Sequence, residues 1–145
     1  MKTGKSGRDL IMKWEGCKLS AYRCPANIWT IGYGNTFYKD GSKVKAGDKL
    51  LISEAIDLFD DLLPKYERIV NNKIKIKLEQ NKFDALVSHT YNTGGSNTLF
   101  RLINEKASES DIKSWWLNRY ITANGKKMNG LINRRIEEYD LFNEK

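Results

Sequence analysis

Apolar side chains recur at helical spacing near the N-terminus, then in a short alternating stretch, then at helical spacing to the end of the chain. Ser6, with Asp9 three residues on, has the form of a capping box, and Leu10, Ile11 and Trp14 follow on one helical face. This first helix is expected to stop near Glu15-Gly16, because glycine commonly sits just past a helix C-terminus. Residues 18–47 are rich in Tyr, Trp, Thr, Ile and Gly and are punctuated by Pro25-Ala26-Asn27 and Asp40-Gly41. They read as a small antiparallel sheet: Leu19–Tyr22, Trp29–Tyr33 and a short piece near Val44. From Ser53, taken as a cap, Ile56, Phe59, Leu62, Leu63, Tyr66 and Val70 recur at three and four, with Pro64 marking a kink or a boundary between two helices. Further helices are expected from about Glu79 to Tyr91, with Phe83, Leu86 and Val87 inward, and over Thr98–Asn104, Asp111–Tyr120 and Leu131–Phe142. The fold class is α+β. It is a single domain, 1–145, of two lobes: about 1–52 with the sheet and about 53–145 helical. A cleft between such lobes is the expected place for a binding site.

Composition narrows the field. With 40% hydrophobic and 30% charged residues and little Gly or Pro, the chain of 145 residues is globular, and its length is that of one domain. No apolar run approaches a membrane span, and MKTGKSGRDL lacks a signal-peptide core, so synthesis in the cytoplasm is expected. The net charge of +7 draws the chain towards polyanions. The positive residues are spread out, however, and no dense basic arm argues for nucleic acid. Two cysteines make neither a disulfide scaffold nor a structural zinc site, and His89, the one histidine, lies in an apolar stretch and reads as core.

Specific chemistry appears in Trp14-Glu15-Gly16, Tyr22-Arg23-Cys24-Pro25 and Trp29-Thr30-Ile31-Gly32-Tyr33-Gly34-Asn35-Thr36. A carboxylic acid at a helix end beside an indole is a candidate general acid, since an apolar neighbour disfavours its charged form. Taken alone, Glu15 is one of 18 acidic residues.

This stretch resembles the signature of the phage-type lysozymes, the endolysin muramidases of glycoside hydrolase family 24. Their pattern is a catalytic Glu followed by Gly, an acidic residue nine positions on, and a Thr six further. The corresponding residues here are Glu15, Cys24 and Thr30. Tyr91-Asn92-Thr93-Gly94 with Thr98-Leu99, and Gly130-Leu131-Ile132-Asn133-Arg134-Arg135 with Glu138, are similar to two later family segments, so the likeness spans nearly the whole chain. It implies a lysozyme-like fold and hydrolysis of the β-1,4 bond between N-acetylmuramic acid and N-acetylglucosamine in peptidoglycan. Glu15 would be the general acid and Thr30 would hold the attacking water. Thr36, Tyr91, Asn92 and Thr98 would contact substrate. No metal or cofactor is implied, and the chain would act as a monomer on the wall after a hole-forming inner-membrane protein releases it.

Two positions depart from the family pattern: its usual His is Asn35, and its usual Asp is Cys24. An ordinary thiol, with pKa near 8.5, is only about 3% thiolate at pH 7. Cys24 as base or nucleophile therefore needs a lowered pKa, for which adjacent Arg23 is a candidate. Inversion at the sugar would mean an activated water, and retention a thioglycosyl intermediate. Cys17 raises a further possibility, a regulatory disulfide with Cys24. Two other functions stay open: a lytic transglycosylase, which needs only the acid, and a wall-binding module without activity.

Overall fold

The computed structural model describes residues 1–145. Helix α1 (Lys5–Glu15) leads into an antiparallel hairpin of β1 (Lys18–Arg23) and β2 (Trp29–Gly32). Then come α2 (Ile52–Lys73), α3 (Gln80–Thr93), α4 (Asn97–Asn104) and α5 (Glu109–Asn118). A two-residue-per-strand hairpin, β3 (Thr122–Ala123) and β4 (Lys126–Lys127), precedes the last helix, α6 (Asn129–Phe142). The α+β reading holds. No helix is long and apolar enough to cross a membrane.

The chain forms two compact units. One is Ile11–Lys65; the other joins Met1–Leu10 to Tyr66–Lys145. The first part of α2, as far as Lys65, belongs with the sheet, and the first ten residues belong with the helical unit. Polar pairing holds them there. The Asp84 carboxylate, almost fully buried, accepts the N–H groups of Gly4 at 2.9 Å and Gly7 at 3.2 Å. The first N–H groups of a helix have no intrahelical partner, and here a carboxylate from α3 supplies one, favoured also by the helix dipole. Ser6 is therefore inside α1, and Asp9 pairs with Lys5 instead of closing a capping box.

In the unit Ile11–Lys65, Ile31, Val44 and Leu58 form the buried centre, with Ala21, Trp29, Tyr38 and Leu50 packed around them. Strand alternation sends Trp29 and Ile31 into this centre and leaves Thr30 for the opposite face. The piece near Val44 pairs only through an isolated bridge, Phe37 with Lys43. Helix α2 begins at Ile52, one residue before the expected cap, and Glu54 Oε1 accepts the Leu51 N–H at 2.8 Å. Pro64 lies inside this one continuous helix. In the other unit, α3 and α6 pack around Phe83, Leu86 and Val87, and Trp116 from α5 lies against Tyr139 and Phe142.

Candidate active site

Glu15 is the last residue of α1, partly buried. The helix closes with the Gly16 N–H on the Met12 carbonyl at 3.0 Å. Across from it, Ile31 and Asn35 exchange both backbone hydrogen bonds at 2.9 Å, closing a loop of three residues. Gly34 in that loop has φ of 82°, and a Cβ there would stand 3.4 Å from a Glu15 carboxylate oxygen. Glycine at this position meets two needs together: the left-handed backbone and the close approach of the acid.

Cys24 opens the turn between β1 and β2. Its carbonyl accepts the Asn27 N–H at 2.7 Å, and its N–H donates to Ile28 at 3.0 Å. Pro25 follows with its restricted φ, and Asn27 takes the left-handed conformation (φ 63°), which asparagine tolerates better than most residues. The Ile28 N–H, then the Ala26 N–H, the Thr30 hydroxyl and the residue's own N–H hold the Cys24 thiol below its ordinary pKa, against a smaller opposing effect of burial. A first residue of a turn whose side chain accepts backbone N–H groups is the role aspartate commonly plays, so the thiol occupies an anion-accepting position. Arg23 is not the cause. Its guanidinium donates to Asn27 Oδ1 at 3.0 Å and lies 5.0 Å from the Trp29 ring centroid. In a strand it faces away from its neighbour.

Thr30 is buried, and its hydroxyl donates to the Ile28 carbonyl at 2.9 Å while also reaching Cys24. One proton serves one acceptor at a time, so the hydroxyl can turn between carbonyl, sulfur and a bound water. Tyr22 stands opposite Thr30 in the strand register. Burial first, then the charges of Glu15 and Cys24, push its phenol above the ordinary value. Glu15, Cys24 and Thr30 thus gather in one unit around one hairpin.

Cys17 and Cys24 are both free, and β1 lies between them, its six residues spanning about 20 Å. Cys17 meets the Tyr33 hydroxyl instead. A disulfide needs Cα atoms within about 7 Å, so the structure does not bring this pair together. Asn35 is buried, and its Nδ2 donates to the Leu58 carbonyl at 3.3 Å. It anchors the loop that carries Gly34.

The four expected substrate residues divide. Thr36 lines a hollow of about 400 Å³ with Trp29, Ile28, Phe37 and Lys43. Thr98, exposed in the first turn of α4, lines another of about 380 Å³ with Arg101, Ser114, Trp115, Asn118 and Arg119. Tyr91 is largely buried against the Tyr66 ring, with centroids 4.8 Å apart. Asn92 is exposed, and its Oδ1 accepts Arg135 at 2.7 Å.

That contact belongs to a buried network that sequence reasoning did not assign. Arg134 Nε is 3.1 Å and Arg135 Nε 3.0 Å from the Glu138 carboxylate, which also accepts the Ser88 hydroxyl at 2.6 Å. Spacings of three and four residues on α6 were the available signal. His89 is core as expected, ringed by Trp115, Trp116 and Tyr120, with its pKa lowered to about 3 by burial and by the charges of Arg135 and Arg134.

The chain is similar to known proteins over nearly its whole length. The phage lysozyme family matches residues 12–138. An endolysin of Bacillus phage PZA is 34% identical over 99% of the chain, which spans 55% of that protein. One from Acyrthosiphon pisum secondary endosymbiont phage 1 is 30% identical over 98% of each. The solved endolysin of Escherichia coli O157:H7 phage FAHEc1 superposes with a TM-score of 0.83 at 36% identity, over 99% of this chain and 94% of that one.

Proposed function

Since the chain belongs to the phage lysozyme family, we propose that it is an endolysin that hydrolyses the β-1,4 bond between N-acetylmuramic acid and N-acetylglucosamine in peptidoglycan. Glu15 donates a proton to the glycosidic oxygen as the bond breaks. A water held by the Thr30 hydroxyl attacks the anomeric carbon from the opposite face, and the Cys24 thiolate takes its proton. What supports this reading is the turn that opens at Cys24, whose N–H groups, with the Thr30 hydroxyl, hold the thiol below its ordinary pKa where the family has a carboxylate. The inverting course follows from Cys24 acting on water. A retained product would instead assign Cys24 as nucleophile.

The hollow at Thr98 suits a sugar polymer, since an indole such as Trp115 fits a pyranose face. No metal or cofactor takes part in these steps. The chain acts as a monomer made in the host cytoplasm, and a hole-forming inner-membrane protein gives it access to the wall; these points rest on family analogy.

Muropeptide release from purified peptidoglycan under reducing conditions tests the proposal. Wild type should yield products with reducing ends, and Glu15→Gln none. Products one water lighter would identify a lytic transglycosylase, and binding without any product would identify a wall-binding module.

A further inference from the structure

The β1–β2 hairpin carries one more side chain on its catalytic face, and its meaning rests on the muramidase reading above. Tyr22 is the direct cross-strand partner of Thr30, and such partners project on the same side of a sheet. Cys24 comes two residues after Tyr22, which in an extended strand returns to that side. The Cys24 N–H, bonded to the Ile28 carbonyl at 3.0 Å, continues the pairing beyond Arg23, and the Thr30 hydroxyl is among the groups that lower the Cys24 pKa. Glu15 and Cys24 both act electrostatically on the Tyr22 phenol, so this partly buried side chain lies within range of each. Acid and base flank the reacting sugar in an inverting glycosidase. A ring near both groups, on their face of the hairpin, is therefore placed against that sugar.

We propose that the Tyr22 ring is the platform for the pyranose whose glycosidic bond is cleaved, its aromatic face against the C–H face of the sugar and its hydroxyl donating to a sugar oxygen. Thr30 is buried and Cys24 is small, so neither offers a broad surface there. A tyrosine adds apolar area with few rotamers to freeze and a polar handle for orientation. Burial above all keeps the phenol protonated, so it remains a donor.

Tyrosine is also a good strand former, and a purely structural role makes a different prediction: valine, another strand former, should replace it. The experiment compares Tyr22→Phe, Tyr22→Val and Tyr22→Ala in kinetics on purified peptidoglycan, with melting temperatures measured alongside. Phenylalanine, which loses only the hydroxyl's bond, should raise the apparent KM about threefold, whereas valine and alanine raise it about tenfold or more, the ring contact being lost as well. Valine should leave the melting temperature close to that of wild type, so its loss is one of binding. In the Glu15→Gln background, adding Tyr22→Val should weaken binding of soluble glycan fragments by the same factor. Wild-type kinetics with valine, or an equal loss with phenylalanine and valine, would overturn the platform. If wild type releases no muropeptides the muramidase reading fails, and the fragment-binding comparison still decides whether Tyr22 holds sugar.

Discussion

At the residue scale, the role proposed for Cys24 raises the question of what favours its thiolate. The turn supplies the answer through its N–H groups, since hydrogen bonds to a charged form lower the pKa of the group that bears it. Activity that needs the thiolate should fall as pH drops through the Cys24 pKa, because protonation removes the base. Cys24→Asp should move this acid limb to lower pH, as carboxylates ordinarily titrate near 3.9. Cys24→Ser, which does not ionise in this range, should lose about 10²–10⁴-fold in kcat, the usual worth of a positioned base. A pH–rate profile of the three proteins checks both expectations; an unmoved limb in Cys24→Asp would mean that another group titrates.

Among the elements, the hairpin and the first helix show how local rules were kept or displaced. The β1–β2 turn follows its own chemistry: Pro25 presets φ, Asn27 accepts a left-handed backbone, and the strand register then brings Tyr22 opposite Thr30. Helix α1 behaves differently, because Asp84, far away in sequence, caps it where Ser6 and Asp9 were expected to do so. Asp84→Ala should leave two backbone donors unsatisfied and lower stability by about 2 kcal/mol, measurable by urea unfolding. The short β3–β4 hairpin escaped the sequence reading even though Asn124-Gly125 was present. Both residues have positive φ, 52° and 76°, as that strong two-residue turn signal implies.

For the whole molecule, charge and buried ionisable groups matter most. The unit Ile11–Lys65 holds eight of the 25 basic and seven of the 18 acidic residues, leaving 17 against 11 on the other unit. Nearly all the excess positive charge therefore lies with the helical unit. Its buried ion network ties Arg134 and Arg135 to Glu138, and the two guanidinium groups help keep His89 neutral. The sign for stability follows from linkage. His89 titrates near 6.5 when unfolded but at about 3 when folded, so the unfolded chain binds the proton more readily in between. Its contribution is complete above about pH 6.5 and is lost as pH falls towards 3, amounting to roughly 4–5 kcal/mol. Melting temperature measured against pH should decline over this window, and His89→Gln should flatten the decline.

Fold class, helix order and the gathering of Glu15, Cys24 and Thr30 around one hairpin were legible in the sequence because they depend on neighbours: apolar spacing, turn residues, and the register of the three within one short stretch. Arginine at position 23 was the plausible cause of a reactive thiol only while adjacency in sequence stood in for adjacency in space. The tertiary structure decided what depends on direction and distance. It turned Arg23 towards Trp29, formed the turn whose N–H groups lower the Cys24 pKa, and put the length of β1 between Cys17 and Cys24. It also brought Asp84 to the start of α1 and the Ser88 hydroxyl onto the Glu138 carboxylate. Pairings across 50 or more residues leave no periodic trace, because they depend on how the elements pack.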